Sequence, residues 1–214
     1  MKLLLIALAV LGIAAGDPGA ALLEAARRGD GATLRQLISA GAALEVRDAA
    51  GRSALLIATH RDDVDAARVL IAAGADVNAR DGIADSPYLY AAAEGRLDIL
   101  RMTLAAGADL RSTNRYGGTG LIPAAHHGHV DTVRLLLTTA IDINHVNRLG
   151  WTALLEAIVL GDGGPAYTEI VRLLVAAGAD VNIADRQGAR PMALARARGQ
   201  GVVAAILEAA GGKP

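Results

Sequence analysis

The sequence predicts an all-α repeat solenoid of about six helix-turn-helix copies joined by β-hairpin-like loops. Three observations carry this. The heptapeptide AAGADVN stands at residues 72–78 and again at 176–182, 104 positions on. Steps of 33 from Gly74 reach Gly41 (AGAALEV), Gly107 (AGADLRS) and Ala140 (TAIDINH), and Gly178 follows after 38. A second marker keeps the same spacing: SALLIA from Ser53, SPYLYA from Ser86, TGLIPA from Thr119 and TALLEA from Thr152. AALLEA at Ala20 and RPMALA at Arg190 close that series. Two markers moving together at such a period are the signature of stacked supersecondary units.

Each element of the copy has a local cause. Ser53, Ser86, Thr119 and Thr152 are placed to cap a first helix, accepting bonds from amides that lack helical partners. Pro87 stands one position later, where a missing N–H costs nothing. Gly95 and Gly128 break the helix in the middle copies. Asp62 takes that place in the second copy, because Asp tolerates left-handed backbone better than most residues. A second helix follows with apolar residues at helical spacing, as in Val130, Val133, Leu136 and Leu137. The heptapeptide glycine comes next, where a left-handed residue commonly ends a helix. A polar, Asp/Asn/Gly-rich stretch such as DVNARDGIAD then reads as the loop. One such unit cannot bury its apolar face alone; its neighbours bury it.

The copies fall at about 17–47, 48–80, 81–113, 114–146, 147–184 and 185–214, and residues 17–214 read as a single domain. The first copy lacks a Ser/Thr cap, and the last ends at EAAGGKP without the ADVN extension. The fifth carries five extra residues around GDGGPAY (161–167), expected between its two helices.

Residues 1–16, MKLLLIALAVLGIAAG, are set apart. One positive charge (Lys2), an apolar run from Leu3 to Ala15 and small residues at 14 and 16 make the layout of a secretory signal peptide cut before Asp17. The run is short for a ~30 Å hydrocarbon core. Beyond it stand 20 basic and 22 acidic residues, so bulk charge gives no reason to seek nucleic acid or anionic lipid. The chain has no cysteine, which excludes disulfides, thiolate metal sites and cysteine nucleophiles. With no Phe, one Trp and four Tyr, the core must be built from Ala, Leu, Val and Ile.

The period of 33 and the Gly-Ala-Asp-Val-Asn ending resemble the ankyrin repeat, and NRYGGTGLIPAAHHGHVDTVRLLL (114–137) resembles it most. The likeness covers residues 17 to about 211. No copy keeps the signature histidine; Leu56, Leu89, Ile122 and Leu155 stand there, so apolar packing is expected in its place.

The resemblance implies a binding scaffold without catalysis, and the sequence agrees. GGTG (117–120) and GDGG (161–164) lack the spacing of a phosphate loop, and no hydrolase or zinc-protease constellation appears. The family leaves loop tips and the exposed face of each first helix free to vary. Here the tips carry Arg52, Ile83, Asp85, Arg115, Tyr116, Arg148, Leu149 and Trp151, and the helix face carries His60, Arg61, Glu94, His126 and His127. Arg and aromatic residues are the composition of binding hot spots. The expectation is an exported, monomeric, non-enzymatic protein that binds another protein through its concave face and tips. Its partner would be a periplasmic enzyme it protects or assists, or an exported toxin it inhibits. No cofactor, no nucleic acid and, after leader cleavage, no membrane enter this reading. The alternative is periplasmic metal handling by His126, His127 and His129, since imidazole suits zinc and copper.

Overall fold

The computed structural model describes residues 17–214, so the leader reading for residues 1–16 lies outside the described residues. Twelve helices are present among them, two per copy: α1 (Pro18–Arg28), α2 (Gly31–Ser39), α3 (Ala54–His60), α4 (Val64–Ala72), α5 (Pro87–Ala93), α6 (Leu97–Ala105), α7 (Leu121–His126), α8 (Val130–Leu136), α9 (Ala153–Val159), α10 (Pro165–Ala176), α11 (Pro191–Ala197) and α12 (Gly201–Ala209). None is long and apolar enough to cross a membrane.

The helices group into two compact units. The first holds the described residues through Ala91 together with Asp98–Ala108; the second holds Ala92–Leu97 and Asp109–Pro214. The division falls inside α5 and at the start of α6. Within the first unit, α1 packs on α3 and α2 on α4, while each pair also packs internally. Within the second, α7, α9 and α11 form one row and α8, α10 and α12 another. The core is mostly small and aliphatic: Leu22, Leu34, Leu37, Leu55, Leu56 and Leu70 in the first unit, and Leu121, Leu136, Leu155, Leu174 and Leu207 in the second, are all essentially inaccessible. The largest fully buried side chain, Tyr88 in the first unit, is aromatic, which the composition did not lead one to expect.

Three of the four expected caps form. The hydroxyls of Ser53, Ser86 and Thr152 each accept the backbone N–H three residues on, at 3.2 Å. Thr119 does not. In the other copies the capping residue's carbonyl accepts the N–H four residues on, at Ile57, Tyr90 and Glu156. The residue four beyond Thr119 is Pro123, which has no N–H. The turn therefore tightens, Ile122 N–H bonds the Thr119 carbonyl at 3.1 Å, and the Thr119 hydroxyl is buried without a hydrogen-bond partner.

The joints behave similarly. Gly41, Gly74, Gly107 and Gly178 take φ of +80, +93, +88 and +91°. The following alanine N–H reaches back to close the helix: Ala42 to Leu37, Ala75 to Leu70, Ala108 to Thr103 and Ala179 to Leu174. This is the paired closure that a left-handed residue permits. Ala140 departs from it and is absent from the positive-φ residues. Helix α8 stops at Leu136 instead, and the hydroxyls of Thr138 and Thr139 donate to the carbonyls of Leu135 and Leu136 at 2.7 and 2.6 Å. Ile141 N–H then settles on Thr139 Oγ1 at 3.3 Å. Two threonines do the work of one glycine.

The heptapeptide's polar residues are joints as well. Asp76, Asp109, Asp142 and Asp180 each accept the N–H two residues on. The Asn that follows reaches the next copy: Asn78 Nδ2 donates to Gly107 O, Asn144 Oδ1 accepts from Asp180 N, and Asn182 bonds both Gly211 O and Lys213 N. In the first copy Glu45 substitutes, accepting Asp76 N at 2.9 Å.

The extra residues of the fifth copy lie only partly between its helices. Gly161–Gly164 form the connection, while Pro165, Ala166 and Tyr167 lengthen α10 to 12 residues. Tyr167 donates its hydroxyl to His126 O at 2.9 Å, and buried Gln200 donates to Ile158 O and Gly161 O. The insertion is thus bonded to the copies on both sides of it.

Candidate functional site

The loop tips are hairpin-like in course but contain no strand among the described residues. Each is organised by one Asp or Asn whose side-chain oxygen accepts the N–H groups two and four residues on. Asp48 takes Ala50 and Arg52, Asp81 takes Ile83 and Asp85, and Asn114 takes Tyr116 and Gly118. Asn147 takes Leu149 and Trp151, and Asp185 takes Gln187 and Ala189. Two backbone bonds to the same residue close each loop: its N–H donates to the carbonyl four residues on, and its carbonyl accepts the N–H three residues on. The fourth residue is left-handed: Gly51, Gly117, Gly150 and Gly188 in four tips, and Ala84, at φ +69°, in the second.

This geometry pushes the second and third tip residues outward. Ile83, Tyr116 and Leu149 occupy the same position in successive copies and are 54, 52 and 49% exposed. Before two of them stand Arg115 and Arg148, both exposed. Within the second unit these residues interlock. Arg148 donates its backbone N–H to Tyr116 O at 2.9 Å and Nη1 to Arg115 O at 3.1 Å, while the Arg115 guanidinium lies 4.9 Å from the Tyr116 ring centre. The Arg148 stem lies over Gly117, where a β-carbon would come within 2.8 Å of its Cγ. Trp151 is half-buried at the foot of the tip.

Other expected site residues are engaged in the fold. Arg52 pairs with Asp48 at 2.9 Å, and Arg27 joins from α1 at 3.2 Å. Burial alone would raise the Asp48 pKa. The bonds from Arg52's backbone and guanidinium, then from Arg27 and Ala50, outweigh that and lower it to about 2. Asp85 is half-buried, and its N–H is held by Asp81. His60 stacks on Tyr90 with ring centres 3.8 Å apart. Arg61 ends α3, exposed, with its guanidinium beside Gly29.

In the second unit Glu94 is half-buried, and the histidines divide their contacts. His127 Nδ1 meets Ala93 O at 2.7 Å, and the His129 ring also reaches that carbonyl, packing against Gly95. His126 turns the other way, its Nδ1 lying 3.5 Å from Glu156 Oε2. Burial, then the neighbouring His127, lowers the pKa of both His126 and His129. Among the described residues no group of three or more His, Asp or Glu could hold a metal ion.

Three contributors were missed. Glu156 has a side chain only 5% exposed; Asn147 donates to its Oε1 at 2.8 Å, and burial raises its pKa. Its signal was a carboxylate at a helix position that holds Ile57, Tyr90, Pro123 and Leu194 in four other copies, though the first copy has exposed Glu24 there. Arg186 was legible too, standing at the tip register of Arg115 and Arg148; its stem lies over Gly150 as Arg148 does over Gly117. Tyr90, paired with His60, had no local signal.

Comparison with known proteins agrees with this geometry. A family model of ankyrin repeats (three copies) matches residues 2–81 and 88–185. The chain is similar to the crystal structure of an ankyrin repeat domain from Acinetobacter baumannii AYE, with 54% identity and a TM-score of 0.88 over 90% of this chain and 98% of that one. It is also similar to the ankyrin repeat protein EF0377, at 42% identity and a TM-score of 0.87 over 89% and 97% of the two chains. The ankyrin repeat domain of Bcl-3 superposes with a TM-score of 0.81 at 25% identity, over 90% and 86%. A shorter match, 48% identical over 56 residues, joins it to the ankyrin repeat protein YahD of Escherichia coli (strain K12). That match spans 26% of this chain and 28% of YahD. The period, the capped helix pairs, the left-handed joints and these matches lead to one conclusion: the chain belongs to the ankyrin repeat family.

Proposed function

We propose that this protein is an exported, non-enzymatic binding module that holds a partner protein through its loop tips and the exposed face of its first helices. Ankyrin repeats are a general protein-interaction module, and proteins built from them are generally scaffolds rather than catalysts. The observation that carries the reading to particular residues is the pair Tyr116 and Leu149. Two large apolar side chains stand half-exposed at equivalent tips, with Arg115 and Arg148 beside them. An aromatic and arginine cluster on a fixed scaffold is what binding hot spots are made of. Because the Asx bonds hold the tips before binding, less ordering entropy opposes association.

A photo-cross-linking residue placed at Tyr116 or Leu149 of the full chain, in cells that express it, tests this. One discrete adduct at both tips, and none at exposed Arg172 on α10, is expected. Adducts only at Arg172 would move the interface to the other row of helices.

The leader composition supports an exported compartment, the periplasm of a bacterium. There the module would protect or assist an enzyme, or occlude an exported toxin. Amino-terminal sequencing of the periplasmic fraction should begin at Asp17. Recovery of the uncut chain from the cytosol alone would refute export.

A further inference from the structure

We infer that the tips of the second unit form a track for an acidic segment of the partner protein, bound in a polyproline II conformation with a carboxylate at every third residue. The inference rests on the reading of the tips as a binding surface and adds the chemistry of what they bind.

The cationic side of the track is Arg115, Arg148 and Arg186, one per copy at the same register. The corresponding tip residues of the first unit are Ala49 and Gly82, so the ladder belongs to the second unit alone. Arg148 and Arg186 share with Arg111 and Arg198 the lack of a carboxylate partner among the described residues, but of these only Arg148 and Arg186 stand at the tip register. Arg134, Arg172 and Arg196 each pair with a carboxylate, at 3.1, 3.9 and 3.4 Å. Neither Arg148 nor Arg186 meets one among the described residues. Their stems are nonetheless fixed, because each lies on the left-handed glycine of the preceding tip, Gly117 at φ +74° or Gly150 at φ +87°. They are placed cations awaiting anions.

The spacing selects the conformation of the ligand. Helices α7, α9 and α11 stack directly, and stacked helices lie about 8–10 Å apart, so successive tips step by about that distance. A polyproline II chain turns once in three residues at about 3.1 Å each, which returns the same face every ~9 Å. A β-strand returns it every two residues, at about 6.6 Å, and falls out of register by the second tip. The apolar knobs Tyr116 and Leu149 then meet the residues between the carboxylates, and an aromatic ring suits a proline there. The anion belongs to a protein rather than a nucleic acid. The whole chain carries 21 basic against 22 acidic residues, too little field to hold a polyphosphate, and only Tyr116 could stack a base, since Leu149 offers no ring.

The test is fluorescence anisotropy with the full chain and a fluorescein-labelled peptide of four Glu-Pro-Leu triplets. Saturable binding that weakens about fivefold or more between low and physiological salt is expected. The pair Arg148→Glu with Arg186→Glu should lose about tenfold or more of that affinity and take up the matching Lys-Pro-Leu peptide instead. The milder Arg148→Gln with Arg186→Gln pair should lose affinity without gaining the basic peptide, with Trp151 fluorescence reporting an intact fold. Three results would overturn the inference: equal binding by the glutamate pair, equal binding of an alternating Glu-Leu peptide, or tighter binding of a single-stranded oligonucleotide. No binding of the acidic peptide alongside surviving adducts at Tyr116 and Leu149 would remove the acidic segment while leaving the tip interface standing.

Discussion

Replacing Gly74 or Gly178 by alanine isolates the energy of the left-handed joint. Both glycines sit at φ near +90°, and a β-carbon at either would meet nothing within 4 Å. No clash contributes, so the penalty is backbone strain alone, about 1–2 kcal/mol for an L-residue in this region. Alanine also restricts the unfolded chain, which returns about 0.4–1 kcal/mol. The net expectation is a loss of about 1 kcal/mol for each variant. With a urea slope of about 1–3 kcal/mol per molar, the midpoint should fall by roughly 0.3–1 M with no change of slope. Circular dichroism follows both variants. Trp151 fluorescence follows Gly178→Ala more directly, since both residues lie in the second unit. Two controls sharpen the sign. Ala140→Gly should bring no gain, because the threonine bonds there already end the helix without a left-handed residue. Ala84→Gly should not destabilise, because Ala84 carries the strain that glycine relieves in the other four tips. Unchanged midpoints in both Gly→Ala variants, or a clear gain from Ala140→Gly, would refute this account of the joints.

The two threonine caps should respond in opposite directions. Thr152→Ala removes a formed cap and should cost about 1 kcal/mol. Thr119→Val removes a buried hydroxyl that bonds nothing and should be neutral or stabilising by up to about 1 kcal/mol, as thermal melts would show. Asp48 should govern acid stability. Its folded pKa of about 2 lies below the unfolded value, so its contribution is full above the ordinary carboxylate range and disappears as pH falls toward 2. Discounted for the half-exposed arginines, this is about 1 kcal/mol, and urea midpoints of Asp48→Asn should show a flatter decline between pH 5 and 2 than the parent. Glu156 has the reverse sign: burial raises its pKa, so stability is complete below the usual range and falls as pH rises through the shifted value. Glu156→Gln keeps an acceptor for Asn147 and should match the parent at pH 4 but exceed it at pH 7. A less stable Gln variant at pH 7 would mean that the carboxylate charge, with His126 3.5 Å away, serves the fold.

The parts of this architecture that were legible are those whose cause is local. A serine before a helix, a glycine after one and an aspartate at φ +56° between two helices each act within four residues, so the sequence displays them. What stayed hidden depends on competition or on distance along the chain. Thr119 looks like the other caps until Pro123 withdraws an N–H and the turn rearranges around it. Ala140 looks like a degraded joint, yet its function passed to Thr138 and Thr139. Arg52 looked like an exposed tip residue and is held by Asp48, which Arg27 also pairs from another copy. His60 meets Tyr90, thirty positions on, and no local pattern announces that stack.

The same distinction decides where binding can occur. Within the heptapeptide the Asp carboxylate and the Asn amide are both committed: Asp180 to Asn182, and Asn182 to Gly211 and Lys213. A partner using those groups would have to break bonds that join one copy to the next, and would lose in scaffold what it gained in contact. Arg148 stands in the opposite position. Its backbone and one guanidinium nitrogen hold the neighbouring tip, while the guanidinium meets no carboxylate among the described residues. Leu149 has no side-chain hydrogen bond to lose when another surface covers it, and the Tyr116 phenol bonds no protein group among the described residues, so covering either breaks nothing within the scaffold. Recognition therefore costs the fold least at the second and third residues of each tip. Those residues can change from Ala49 and Ala50 to Arg148 and Leu149 without disturbing the Asp or Asn beneath them, so specificity and stability are carried by different letters of the same loop.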